Sequence, residues 1–177
     1  MAAQPTAPPD APNRNHTAVV PPQAPPHPEN NPGPVPPHNT PAERALIGSW
    51  LLSTEARTHH VNPADFYHPT AATIAQAIHD MAAAGDPIDV VTVTDHLERT
   101  GQLDRIGGPA TPTTLVNAHY VTGHAARYAA IVRRDAHLRR LLAACRDLTD
   151  AIYTLDDTET TAATWRLLHV IAEEDTP

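Results

Sequence analysis

The sequence predicts an all-α protein: a small globular bundle of short helices followed by a long helical hairpin. Three observations carry that prediction. Capping residues and prolines open apolar runs of helical period, and glycines close them. A stretch of about 30 residues, from Gly123 to Tyr153, keeps a helical pattern without a proline, where a globular helix averages roughly 11 or 12. Finally, 14 of the 20 prolines fall in residues 1–41. Apart from Met1, the only large apolar side chains there are Val19, Val20 and Val35. Residues 1–40 therefore read as a disordered Pro-rich tail, because they cannot bury enough surface to offset their ordering entropy. Residues 41–177 are the folded domain, with a globular part over 41–119 and the hairpin over 120–174.

The first helix is expected to start at Thr40-Pro41-Ala42-Glu43, read as a capping box with Thr40 as the cap and proline at the first helical position. It runs to about Ser53, with Leu46, Ile47, Trp50 and Leu51 on one face. A loop through His59, His60 and Asn62-Pro63 leads to Asp65-Phe66-Tyr67, with Phe66 as a core anchor. The second helix starts near Thr70, turns Ile74, Ile78 and Met81 inward and stops at Gly85. Propensity alone makes the β-branched run Ile88 to Val93 a strand. We read it instead as the start of a helix capped at Thr92 with Asp95, burying Val93 and Leu97 and ending at Gly101. Gly107-Gly108-Pro109 forces a turn, and Thr111-Pro112 opens a short helix carrying Leu115 and Val116.

In the long helix Ile131, Leu138, Cys145 and Ile152 recur every seven residues. Leu141 and Leu148 fill the intervening seam positions, a coiled-coil-like stripe that predicts self-association. Arg134 interrupts the seam near its start, and Cys145 is expected there as a buried, inert thiol. After Asp156-Asp157, Thr158 and Glu159 open a last helix with Trp165, Leu168 and Ile171 on one side and Leu167 and Val170 near it. The pair of helices makes the hairpin.

Composition removes several function classes. The 177 residues carry 20 acidic and 12 basic groups, a formal charge of −8, and every basic residue is arginine. Without lysine there is no Walker-type phosphate-binding, Schiff-base or kinase-type lysine. One cysteine forms no internal disulfide or multi-cysteine zinc site. No apolar window is long enough to span a bilayer and no signal peptide opens the chain, so the expected address is the cytoplasm. Ser49 and Ser53 lie in no nucleophile elbow. The 12 histidines form neither an i,i+4 pair nor a His-Glu-x-x-His motif, so no metal and no catalytic residue is expected. No Gly-x-Gly-x-x-Gly is present, and no cofactor is expected. Between residues 127 and 146 six arginines face one acid, Asp135. They spread around the helix rather than forming a phosphate-tracking face, so Arg133, Arg139, Arg140 and Arg146 read as contacts to a protein partner before a nucleic acid. A DNA- or RNA-binding regulator is the alternative reading, and a metal enzyme built on the loop histidines is a distant third.

Six blocks then carry a resemblance: Pro41 to Gly48, Asp65 to Pro69, Gly85 to Val93, Leu97 to Leu103, Ile106-Gly107-Gly108 and Tyr128 to Arg133. In order and spacing, over roughly residues 41–174, they resemble the N-terminal domain of DnaB-type replicative helicases. The resemblance implies an all-α domain whose hairpin pairs between subunits, a collar over a hexameric ATPase ring, and a surface for primase. It implies a non-catalytic module of DNA replication, with itself and then the replicative helicase or primase as partners. The sequence departs from the family pattern in four ways. The motor that follows in the family is absent, a frequent family histidine is replaced at Ala71 or Ala72, the usual aromatic is missing before Leu115, which predicts looser packing there, and a proline-rich extension precedes the domain.

Overall fold

A computed structural model describes residues 34–117, 121–154 and 156–172. Six α-helices and no strand occur among them. They are α1 (Thr40–Leu52), α2 (Pro69–Ala84), α3 (Val90–Arg99), α4 (Ala110–Asn117), α5 (Ala125–Thr154) and α6 (Asp157–Ala172). The folded unit begins at Pro36, so residues 36–40 belong to it and not to a tail. Residues 1–33, 118–120, 155 and 173–177 lie outside the described residues.

Helix α1 is the hub. It packs against α2, α4 and α5 and buries Ala45 through Leu51 without a break, as a helix apolar on all sides must. Its cap is Asn39, one residue before the expected Thr40. The Asn39 side chain accepts from the Ala42 N–H at 2.9 Å, while Thr40 is already helical. Phe66 is buried edge-on against Trp50, with ring centroids 5.9 Å apart. Ile74, Ile78 and Met81 are buried from α2. That helix ends at Gly85, whose φ of +75° suits glycine.

From Val90 to Val93 the helix prevails, because the local hydrogen bonding outweighs β propensity. The cap, however, is Asp89 and not Thr92. The Asp89 carboxylate accepts from the Val91 and Thr92 N–H groups, and Thr92 Oγ1 accepts from the Asp89 N–H at 2.9 Å. These backbone bonds, that from Thr92 first, hold the Asp89 carboxyl below its usual range. Asp95 instead pairs with Arg99 at 2.8 Å, one turn on. Val93 and Leu97 are both fully buried.

Helix α5 spans 30 residues and does two jobs along its length. Ala129, Val132 and Ala136 bury its first half against the bundle, and the second half carries α6. Asp156 caps α6 by accepting from the Glu159 N–H at 2.9 Å.

Candidate protein-interaction surface

The hairpin sorts its apolar residues into two sets. Ala144 and Ala151 of α5 and Ala163 of α6 are buried, with Leu141, Leu148, Leu167 and Val170 half-buried around them. Spaced at i, i+3 and i+7, these form the line where α5 and α6 pack. A second set is exposed: Leu138 and Leu142 at 40%, Ile152 at 53%, Leu168 at 49% and Ile171 at 50%, with Cys145 also exposed. At about 100° per residue the exposed set lies roughly a quarter-turn from the packing line on both helices, in the same rotational sense. In antiparallel helices that places both sets on one face of the hairpin.

The seam expected from the sequence is therefore divided. Leu138, Cys145 and Ile152 line the exposed face. Leu141 and Leu148 turn toward α6 within the same chain, and Ile131 is packed against the bundle core. The reason is geometric: a heptad spacing describes one line on an isolated helix, and here α6 occupies the side that holds Leu141 and Leu148. Leu142, which the sequence reading passed over, takes their place on the open side. Cys145 is corrected from buried to exposed for the same reason. Trp165, at 68% exposed, points away from α5 at the outer edge.

The arginines divide as well. One Arg139 guanidinium nitrogen donates to the Pro37 carbonyl at 2.8 Å and the other to the Asp65 carbonyl, and the group sits 5.7 Å over the Tyr67 ring. Arg140 donates to the Asp65 carboxylate at 2.7 Å. These two, expected at a partner surface, tie α5 to the chain entering α1 and to the loop before α2. Arg133 and Arg146 stay exposed. The division weakens a continuous nucleic-acid face, because two of its four members are engaged inside the fold.

Glu43, read from the sequence as part of a capping box, performs a different task. Its side chain is buried at 2% and accepts from the Tyr67 and His68 N–H groups at 2.7 and 3.1 Å. Thr40 Oγ1 and His68 Nε2 lie 2.6 Å apart beside it. A cleft of about 360 Å³ opens here, floored by Ile47, Ala71 and Leu115, where the sequence predicted looser packing. Elsewhere, His60 and His79 stack at 4.2 Å. Burial, then the neighbouring His60, lowers the His79 pKa. Among the described residues no group of three His, Cys, Asp or Glu is placed to hold a metal, and no helix is long and apolar enough to cross a membrane.

The described residues define an all-α protein, a helical bundle that extends a two-helix arm with one apolar face left open. Comparison with known proteins is more specific. The model of the DnaB-like helicase N terminal domain matches residues 35–134, and the chain belongs to that family. It is 37% identical over 128 residues to the replicative DNA helicase DnaB of Leifsonia xyli subsp. xyli, covering 71% of this chain and 28% of that protein. It is 38% identical over 115 residues to the DnaB of Mycobacterium leprae, covering 63% and 19%. The chain thus spans between 19% and 28% of the length of these curated relatives. The crystal structure of the N-terminal domain of DnaB helicase from Mycobacterium tuberculosis superposes with a TM-score of 0.72 at 32% identity, covering 76% of this chain and 99% of that one.

Proposed function

We propose that this chain acts in DNA replication as a non-catalytic assembly module, in the cytoplasm, self-associating through the hairpin and engaging a helicase collar or a primase. The observation that carries the reading is the apolar face of Leu138, Leu142, Ile152, Leu168 and Ile171, left exposed on a two-helix arm. An apolar strip of that kind on a folded domain marks a contact surface, because covering it removes unfavourable hydration. The kinship with domains of replicative helicases supports the choice of partner. Arg146, exposed about a quarter-turn from the apolar strip on α5, would form part of its polar rim.

Light scattering after size-exclusion chromatography tests the reading, with the chain run alone and then mixed with the replicative helicase and with the primase of the same cell. A multiple of the chain mass that shifts on mixing with either is the expected result. A monomer that shifts with neither overturns it.

A further inference from the structure

The cleft of about 360 Å³ beside Glu43 is built by residues of α1, α2 and α4 and the loop before α2, apart from the hairpin. Small-molecule sites occupy roughly 300–1,000 Å³, so the cleft is large enough for a single ring and its substituents. Ile47, Ala71 and Leu115 give it an apolar floor. Arg44 stands exposed at its mouth, with no ion pair among the described residues.

The polar groups along the cleft are short of protons. The Glu43 carboxylate accepts two N–H groups, where a carboxylate offers about four lone-pair positions. The Thr111 hydroxyl donates to the Ile106 carbonyl and the Thr114 hydroxyl to that of Ala110, both at 2.9 Å. Each of these oxygens can therefore only accept from an occupant. Thr40 and His68 hold one proton between them across 2.6 Å. The Thr70 hydroxyl lines the cleft and has no partner among the described residues, so it is free to donate. A fitting occupant brings N–H donors and an apolar face. A free anion is repelled by Glu43, and a free cation surrenders its hydration to an apolar floor.

We propose that this cleft binds a nucleotide whose base carries an exocyclic amine, adenine or cytosine. The ring lies on Ile47, Ala71 and Leu115. Its amine donates to Glu43, the ring nitrogen beside the amine accepts from the Thr70 hydroxyl, and the phosphate meets Arg44 at the mouth. Uracil and thymine carry a carbonyl oxygen where the other two bases carry the amine, which would set oxygen against carboxylate. The site is independent of the self-association proposed above.

Amide NMR of the full chain tests the assignment, with AMP, CMP, UMP, adenosine and benzamidine as probes. Saturable shifts at Thr70, Ala71 and Leu115 are expected with AMP or CMP. UMP is expected to bind at least about tenfold more weakly, because a site built to hydrogen-bond a donor rejects the analogue that lacks it. Thr114→Phe fills the cleft from a position that is exposed and bonds only within α4, so it should keep the helices and lose the shifts. AMP should bind several-fold more tightly than adenosine, a gap that Arg44→Ala closes. Equal binding of AMP and UMP, a Thr114→Phe protein that still binds AMP, or no shift at these amides with any nucleotide overturns the proposal. Benzamidine bound more tightly than adenosine also overturns it, since the cleft would then select positive charge and not a base edge. An AMP advantage that survives Arg44→Ala overturns the phosphate contact.

Discussion

Glu43 offers the sharpest test of how the bundle is held. Its carboxylate is buried in α1 yet serves α2, accepting the N–H groups of Tyr67 and His68. His68 is the N-cap residue of α2 and makes no side-chain capping bond of its own. Glu43 is thus a capping acceptor supplied by another helix, placed where the α2 dipole favours negative charge. Hydrogen bonds to an ionised acceptor contribute about 1.5–3 kcal/mol each. Glu43→Ala removes two and leaves two donors short of a partner. Tyr67 and His68 are only half-buried, so water recovers part of the loss, and the net expectation is about 3–5 kcal/mol. Against a total stability of roughly 5–15 kcal/mol, this lowers the Tm by about 10–15 °C. Glu43→Gln keeps one acceptor oxygen and costs about 1–2 kcal/mol. Urea and thermal melts followed by circular dichroism measure both. If Glu43 acted in a capping box on α1, glutamine would replace it with little loss and alanine would cost only about 1 kcal/mol. An alanine variant within about 1 kcal/mol of wild type refutes the cross-helix role.

Three further outcomes follow from the same contacts. Arg139→Ala should cost about 2–3 kcal/mol and free the chain ahead of α1, seen as faster amide exchange in residues 37–42; Arg139→Lys should recover only part, since an ammonium lacks the fork that reaches both carbonyls. The Trp50 indole N–H is buried without a partner among the described residues, so Trp50→Phe should be much milder than Trp50→Ala, for which about 3–5 kcal/mol is expected in urea melts. His79 is held below its ordinary value of 6.5, so the folded state binds fewer protons there than the unfolded one. Its contribution is present above about 6.5 and falls as the pH drops below it, a slope in stability that His79→Gln should flatten.

Much of the architecture is legible in the sequence because it rests on local physics. The order of helices, the stop at Gly85, the Phe66 anchor and the burial of Val93 and Leu97 follow from capping chemistry and apolar spacing. Both displaced caps, Asn39 for Thr40 and Asp89 for Thr92, arise where two capping residues compete within a few positions; in each the earlier side chain takes the bonds. Glu43 did leave a signal. It shares a helix face with Ile47 and Trp50, and a carboxylate on an apolar face requires buried donors somewhere. Nothing local announces that those donors lie on Tyr67 and His68, 24 and 25 residues away. The task of Arg139 is less legible still, because its partners are backbone carbonyls, which every residue has. A heptad seam follows one helix alone, and the position of α6 decides which of its members face outward.

The proposed role requires the outward face of the hairpin to be covered. The most direct measurement is the molar mass of the wild-type chain and of Leu138→Asp by light scattering over about a hundredfold range of concentration, with helix content followed in parallel. Leu138 is partly exposed and outside the α5–α6 packing line, so the variant should keep its helices. The wild type should run at a multiple of the chain mass and the variant as a helical monomer. A variant that assembles as the wild type does would contradict the proposed role.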